Sequence, residues 1–523
     1  MMPALANNLG DLSLGRVDSA CEVLVDLRLA DAPRHFSAGK LHDAISAFAR
    51  GLVKAGVQPS ERVAFLSANR WELLVGYFAS MLMGAVAVPV NHKLPAETVA
   101  HIIMDSGAAI VFYDAARQPL VPEDRKSLGF DEHAGADFQR FLDPGEVAVY
   151  APAPHDLAEI LYTSGSTGAP KGVPLTHAGQ TWALGEYLEE SELPSFSRTT
   201  LIVAPMYHMN ALFFTSSCLL NRIRCVLQPR FDAQDYVEAA VHYGCSMLSG
   251  VPTMFALAAA LSPDVLPPGR DCVKSISMGS APLPPSLLTQ LKAVFPAAEI
   301  SNGYGSTEAG PAIFGPHPAG LPKPPLSIGY PRRGIEWRLV DGDSPEQGRL
   351  QLQTPAMTAG YLNRPDASAE KFVDGWFDTG DILRRDDQGF MYFVARADDM
   401  FVSGGENIYP SQVEALLARH PAVQDVVVVG APDDIKGTVP VAFVVPKAGA
   451  EPSELELRDH CLAVGPAYAH PRRILFIKRL PVGGTHKVDR KKLTEEATIL
   501  MIAEGRSTAA DGSSGHLAHT DAG

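Results

Sequence analysis

The sequence predicts an α/β protein: a large N-terminal domain of layered α/β sheets with a β-rich subdomain, then a small α+β C-terminal domain. Three observations lead there. From about Lys40 to Asp114, and again from Thr200 to Met278, helical patterns alternate with short β-branched runs, the rhythm of largely parallel sheets. After Trp337 the chain turns to short strands joined by Asp/Gly turns. Beyond a polar, Gly-rich run from Arg396 to Gly405 it resumes as a compact unit of about 100 residues, the size of a small domain.

The elements follow in order. Leu41 to Ala55 repeats apolar residues at helical spacing, with Gly56 as a stop, and Arg62 to Leu66 is a strand. Leu73 to Val90 carries no charge over 18 residues, long enough to suggest a membrane span. Gly84 and Pro89 interrupt it, so the pattern predicts a buried helix over Leu73 to Met83, a short buried strand over Ala85 to Val90, and no transmembrane segment. Ile110 to Tyr113, Thr200 to Val203, Arg224 to Leu227, Ser246 to Leu248 and Ser275 to Met278 read as further strands. Glu336 to Val340, Gly348 to Gln353 and Phe390 to Val394 make up the β-rich part. Ser411 to Arg419 is helical, and Val426 to Gly430 and Val439 to Val445 are strand-like. From Gly505 onward Ser, Ala, Gly and Asp leave little to bury, so a disordered tail is expected.

Composition narrows the function classes. With 523 residues and 46% hydrophobic content, the chain can bury more than one core. Its 44 basic and 59 acidic residues give a formal charge of −15, which argues against a phosphate-neutralising nucleic-acid surface. Cys21, Cys218, Cys225, Cys245, Cys272 and Cys461 form no CxxC pair and read as reduced, mostly buried thiols of a cytoplasmic protein. The N-terminus lacks the basic start and apolar run of a secretory signal. No short-period repeat is present, which excludes solenoids.

The densest chemical signal is LYTSGSTGAPKGVPLTH, from Leu161 to His177. An apolar strand, Ile160 to Tyr162, opens into Thr163, Ser164, Gly165, Ser166, Thr167 and Gly168, with Lys171 behind. Small residues let backbone N–H groups wrap a polyphosphate, hydroxyls add donors, and the lysine adds charge. The spacing is not that of a Walker A loop, which needs G-x4-GK[ST].

This run resembles the phosphate loop of the adenylate-forming superfamily of acyl-CoA synthetases, peptide-synthetase adenylation domains and luciferases. Matching segments follow in the family's order: NGYGSTEAG (Asn302 to Gly310), DGWFDTGD (Asp374 to Asp381), RADDMFVSGGENIYPSQVE (Arg396 to Glu414) and LPVGGTHKVDRKKL (Leu480 to Leu493). The likeness spans roughly Phe36 to Leu493. It implies ATP, Mg2+ and coenzyme A as cofactors, an adenylate-forming domain over 1–397, a mobile C-terminal domain over 398–504, and a tail over 505–523.

The resemblance also distributes roles. Gly279, Ser280 and Ala281 would line the adenine and the acid carboxylate; Asn302, Gly303, Tyr304, Gly305 and Ser306 would form the rest of the adenine site. Tyr304 offers an aromatic face between glycines, suited to stacking a purine. Thr307 adds a hydroxyl and Glu308 a carboxylate that would hold Mg2+, an ion content with one or two carboxylates plus substrate phosphates. Asp381, helped by Arg396, would accept the ribose hydroxyls. Asp398 falls where the family places its hinge, and Ser403, Gly404 and Gly405 where the thiol-bearing arm of coenzyme A approaches. Lys487 would be the catalytic cation at the α-phosphate, worth roughly 2.7–4 kcal/mol in comparable sites. On its own a lysine before a helix reads as a solvated charge, so this role rests on the resemblance. Three positions depart from the family pattern: Ala395 and His486 where glycine is usual, and Ala469 in place of a common lysine.

For the acid, PMYHMNAL (Pro205 to Leu212) matches a loop in which His208 would stand between the acid site and the thiol tunnel. The loop has no aspartate to pair with an α-ammonium, which disfavours an amino-acid substrate. The motifs are most similar to those of 4-coumarate–CoA ligases, with Asn210 where those often hold a tyrosine. His208, Asn210, Gly250, Gly279, Gly303 and Gly310 would shape a pocket for an aromatic, arylpropenoic or medium-chain acid. The expected partners are a small carboxylic acid and coenzyme A, with no nucleic acid; a homodimer is compatible with this. The rivals are a ligase that loads a carrier protein, a light-producing oxygenase and a silent scaffold.

Overall fold

The computed structural model describes residues 7–29, 31–131, 138–163, 170–189, 198–281, 283–403, 406–433, 436–465, 470–483 and 487–512. The chain divides into two compact units. The first comprises Met1–Val340, Leu350–Thr379 and Arg385–Tyr392; the second comprises Asp341–Arg349, Gly380–Arg384 and Phe393–Gly523.

Two sheets organise the first unit. One has seven strands in the order Glu299–Asn302, Ser275–Met278, Met247–Gly250, Thr199–Ile202, Arg224–Leu227, Glu22–Asp26 and Arg34–Ser37. All neighbours are parallel except the last pair. The other has six strands, Ser127–Gly129, Ala108–Tyr113, Arg62–Leu66, Val86–Pro89, Leu157–Thr163 and Lys171–Thr176, again parallel until the final pair. The alternation of helix and strand thus produced the parallel sheets it predicts.

Local chemistry explains the elements between. The helix Ala38–Lys54 starts where the Ser37 side chain accepts from the Lys40 N–H, a cap worth about 1 kcal/mol. Its buried residues Leu41, Ile45, Phe48 and Leu52 recur at helical spacing. It ends before Gly56, whose φ of 90° only glycine adopts without strain. Trp71–Leu82 is buried on every face, which is why the run from Leu73 carries no charge. After Gly84 the chain enters the strand Val86–Pro89 inside the second sheet. Among the described residues no helix is long and apolar enough to cross a membrane. The six cysteines are unpaired, four of them buried.

The β-rich region forms the strands Glu336–Ser344, Gln347–Gln353, Trp376–Arg385 and Met391–Arg396, which the two units divide between them.

In the second unit, Val423–Asp433 and Gly437–Pro446 pair antiparallel over their whole length, and Arg473–Phe476 joins parallel to the latter. Alternation gives this sheet two apolar faces. Val426 and Val428 pack with Val413, Leu417, Leu457 and Cys461 of the helices Pro410–Leu417 and Glu454–Val464. Val427, Val429 and Ala431 pack with Leu493 and Ala497 of the helix Arg490–Gly512. The backbone of that last helix runs past Gly505 to Gly512, into the segment expected to be a tail. Residues 513–523 lie outside the described residues.

Candidate active site

The phosphate-loop candidates begin on a β-hairpin in the first unit. Leu157–Thr163 pairs antiparallel with Lys171–Thr176, and the register sets Thr163 directly across from Lys171. The two residues therefore flank the mouth of the loop. Ser164, Gly165, Ser166, Thr167 and Gly168 lie outside the described residues.

A segment that the motif reading passed over stitches this hairpin to the loop bearing Glu308. The Thr358 N–H donates to the Glu308 backbone carbonyl at 2.8 Å, and the Thr358 hydroxyl to Pro174 O at 2.8 Å. The Leu362 N–H donates to Gly172 O at 2.8 Å. Between them, Tyr361 places its hydroxyl 3.1 Å from Glu308 Oε1, while Lys171 Nζ sits 5.0 Å from the centre of its ring. Lys171 and Glu308, far apart in sequence, thus meet on the two ends of one tyrosine. The only sequence hint was an aromatic behind a glycine, GYLNRP, in a turn-rich stretch.

The loop from Asn302 to Gly310 closes on itself. Ser306 and Gly310 exchange two backbone hydrogen bonds of 3.0 and 2.9 Å, and the Ala309 N–H donates to Ser306 Oγ at 3.0 Å. Gly305 is required here: a Cβ would lie 2.4 Å from Pro311 O. Tyr304 packs edge-on against Phe314 at 5.4 Å between centroids. Thr307 and Glu308 are half-buried within this closed turn.

The candidate acid-pocket residues gather at the carboxyl ends of the seven-stranded sheet, where open α/β sheets bind ligands. Gly250, Met278 and Asn302 are in register on three neighbouring strands. The ladder continues one step further, with Gly279 N–H to Gly250 O at 3.3 Å and Gly303 N–H to Met278 O at 2.7 Å. Ser280 follows with a φ of 64°, uncommon for a residue with a side chain, and Ala281 is half-buried beside it. The Pro205–His208 turn leaves the next strand, Thr199–Ile202, at the same edge and is held by Asn69, whose Oδ1 accepts from the Met206 N–H at 2.9 Å. His208 is half-buried at the start of the helix Met209–Leu220, with its ring 4.6 Å from that of Tyr207; Asn210 lies in the first turn, half-buried. Tyr207 in turn meets His92 edge-on, and burial, with the Arg117 charge, lowers His92 to about 4, so it stays neutral at physiological pH. Gly310 takes a φ of 109°, and a Cβ there would stand 2.9 Å from Ala356.

In the second unit, Asp381 is 8% exposed on the strand Trp376–Arg385. Arg396 donates to Asp381 Oδ1 at 2.7 Å and to Asp398 Oδ2 at 3.0 Å. Partial burial works against the guanidinium charge, but Asp381 and then Asp398 hold its pKa above the ordinary arginine value. Asp398, the expected hinge residue, is therefore tied to Arg396 within the second unit. The Gly483 N–H donates to the Lys487 backbone carbonyl at 2.8 Å. Protein crowds its ammonium, although the side chain keeps an open surface. That crowding, with the Arg396 charge, lowers its pKa against the pull of Asp381. Lys487, Arg396 and Asp381 thus share one electrostatic neighbourhood. Ser403 is buried at the end of the strand Phe401–Ser403, while Gly404, Gly405, Ala469 and His486 lie outside the described residues.

Among the described residues no cluster of three or more His, Cys, Asp or Glu could hold a metal by itself. A magnesium site built from Glu308 and ligand phosphates fits that donor set, because this ion is usually held by one or two carboxylates plus phosphates and water.

Comparison with known proteins places the chain. The AMP-binding enzyme family matches residues 19–362, and the AMP-binding enzyme C-terminal domain matches residues 412–487. The chain is 32% identical to a feruloyl-CoA synthase of an Amycolatopsis species over 469 residues, covering 88% of this chain and 94% of that one. It is also 32% identical to a fatty acid–[acyl-carrier-protein] ligase of Streptomyces coeruleorubidus over 483 residues, covering 87% and 90%. Among solved structures, an anthranilate CoA ligase in complex with anthranoyl-AMP superposes with a TM-score of 0.83 at 25% identity, covering 95% of this chain and 98% of that one. With two ordered family domains over most of its length and a relative 32% identical over 88% of this chain, the chain belongs to the AMP-binding enzymes, the adenylate-forming superfamily that its motifs resemble.

Proposed function

We propose that this chain is an AMP-forming acid–CoA ligase: ATP and a carboxylic acid give an acyl-adenylate and pyrophosphate, and the acyl group then passes to coenzyme A with release of AMP. The observation that carries the reading is the meeting of Lys171 and Glu308 on Tyr361, beside a hairpin whose loop is rich in glycines and hydroxyls. A cation and a carboxylate held at one place suit a nucleotide triphosphate with its divalent ion. Glu308 would hold Mg2+, which when bound neutralises charge on the phosphates.

The chain's own residues supply the rest. Lys171 and the hydroxyls from Thr163 onward bind the phosphates, and the Tyr304 loop takes the purine. Asp381, fixed by Arg396, accepts the ribose hydroxyls. Lys487 offers a cation as carboxylate and α-phosphate, both anionic, approach each other. Asp398 is the hinge and Ser403 to Gly405 the thiol approach, as the resemblance assigns them. The acid itself is aromatic, arylpropenoic or medium-chain: Gly250, Gly279 and Gly303 leave the strand ends without side-chain bulk, and the feruloyl-CoA synthase likeness points the same way.

A second reading, transfer to a carrier protein, draws on the equal identity to the acyl-carrier-protein ligase. Acid-dependent pyrophosphate release across a panel of acids, with and without coenzyme A, separates them. The proposal expects AMP and acyl-CoA to accumulate together. Adenylate that forms but ignores coenzyme A would favour a carrier; no release with any acid would leave a silent scaffold.

A further inference from the structure

We propose that Asn69 is a positioning residue for the acid pocket: its carboxamide fixes the turn Pro205–His208, and with it which acids the pocket accepts. The inference rests on the acid site proposed above and adds to it a residue from outside the motifs.

Four backbone groups converge on this one side chain, which is only 4% exposed. Its Oδ1 accepts from the Met206 N–H at 2.9 Å. Its Nδ2 donates to Ala204 O at 3.0 Å, to Gln228 O at 3.3 Å and, at the limit of a hydrogen bond, to Val203 O at 3.5 Å. Carbonyls on one side and an N–H on the other give the amide a single orientation, and an apolar group of the same size would serve neither side. Val203 and Gln228 directly follow the neighbouring strands Thr199–Ile202 and Arg224–Leu227. Asn69 therefore clamps two strand ends together with the turn that leaves one of them.

Asn69 is itself held from both sheets. The Ser67 hydroxyl and the Ala68 N–H donate to Asp114 Oδ2 at 3.1 and 2.9 Å, just past the strand Ala108–Tyr113 of the six-stranded sheet. The Trp71 N–H donates to Asp26 Oδ2 at 3.0 Å, on the strand Glu22–Asp26 of the seven-stranded sheet. The framework thus sets where Met206 lies. Two short steps carry that position onward. The His208 N–H closes the turn on Pro205 O at 3.1 Å, and the Leu212 N–H donates to His208 O at 3.2 Å, starting the helix that bears Asn210 in its first turn. A shift at Met206 redirects His208 and Asn210 together. Among the described residues, none of the Asn69 bonds reaches the hairpin of Thr163 and Lys171.

Acid-dependent pyrophosphate release with ferulic, octanoic and acetic acids, joined to hydrogen exchange over residues 206–212, tests this. In Asn69→Ala the Met206 N–H loses its acceptor, so exchange there speeds up about tenfold, the scale of one hydrogen bond. The KM for the best of these acids rises about fivefold to tenfold and the order of the acids by kcat/KM changes, while the KM for ATP stays within about twofold. Asn69→Asp is the discriminating variant. Its carboxyl accepts from the Met206 N–H in either protonation state, yet offers the carbonyls one hydrogen at most. It lowers Tm as Asn69→Ala does, but keeps Met206 protected and the acid KM near the wild-type value. A merely structural role would make the acid KM follow Tm through both variants. That result, an unchanged acid order in Asn69→Ala, or equal rises in both KM values overturns the proposal while leaving the acid site intact. A wild-type chain that releases no pyrophosphate with any of these acids removes that site, and this inference with it.

Discussion

Tyr77 donates its phenolic hydrogen to Glu159 Oε2 at 3.0 Å, and both side chains are sealed inside the core at 1% and 2% exposure. Glu159 sits on Leu157–Thr163, the strand that leads into the candidate phosphate loop, four residues before Thr163.

That pair makes stability depend on pH. Burial pushes the Glu159 carboxyl from 4.5 up to about 7, against the pull of the Tyr77 hydrogen bond. A raised acid binds its proton more tightly in the folded chain than in the unfolded one. Its contribution is therefore fully present below pH 4.5 and is lost as the pH climbs through 7. At about 1.4 kcal/mol per unit, the swing is on the order of 3 kcal/mol. Glu159→Gln should abolish it: denaturant titrations at pH 5 and pH 8 should show the variant gaining on the wild type at the higher pH. Parallel curves would mean that the carboxyl titrates normally.

Lys487→Ala should lower acid-dependent ATP–pyrophosphate exchange by about 10²–10³-fold, the loss seen when one preorganised donor is removed. Thioester formation from a supplied acyl-adenylate should be spared. Equal loss in both assays would show that Lys487 serves the fold or both half-reactions.

The Asp381–Arg396 contact at 2.7 Å predicts a selective defect. Asp381→Asn keeps the shape and removes the charge, so the KM for ATP should rise about tenfold, the scale of a hydrogen bond to a charged group. The KM for the acid should hold. A parallel rise in both would place Asp381 outside the nucleotide site.

Gly305→Ala should damage ATP binding through the backbone. The added methyl would stand 2.4 Å from Pro311 O and 2.6 Å from Pro311 C, neither of which can rotate away. Relieving the clash moves the closed turn that carries Glu308, at about 1–3 kcal/mol. ATP affinity measured by calorimetry should fall more than tenfold, while Gly303→Ala, whose nearest neighbour is 3.6 Å away, should bind ATP nearly as the wild type does.

How much of this was legible in the sequence depended on how local the cause was. Arg62–Leu66, Arg224–Leu227 and Ser275–Met278 run over the residues the pattern predicts, because a short apolar run between turn residues leaves little choice. Lys171–Thr176 was harder to see. Pro174 argues against a strand, but this one forms the edge of its sheet, where a missing N–H is tolerated. In the site, Lys171 and Glu308 stood out by residue type and by resemblance. Tyr361 did not, since the carboxylate it holds is 53 residues away in the chain and no periodicity links them.

Three adjacent strand ends lacking side chains have a consequence for how this protein can change. The wall they form is made of peptide groups, which mutation cannot remove, so its contour can be altered only by adding atoms. Those additions are not equivalent. A methyl at Gly303 has room, one at Gly250 leans on the movable ends of Met254 and Phe255, and one at Gly279 presses on the carbonyl of Gly303 at 3.3 Å. In the acid pocket proposed here, selectivity along this edge should therefore drift stepwise from the Gly303 side, with the Gly279 corner the last to move.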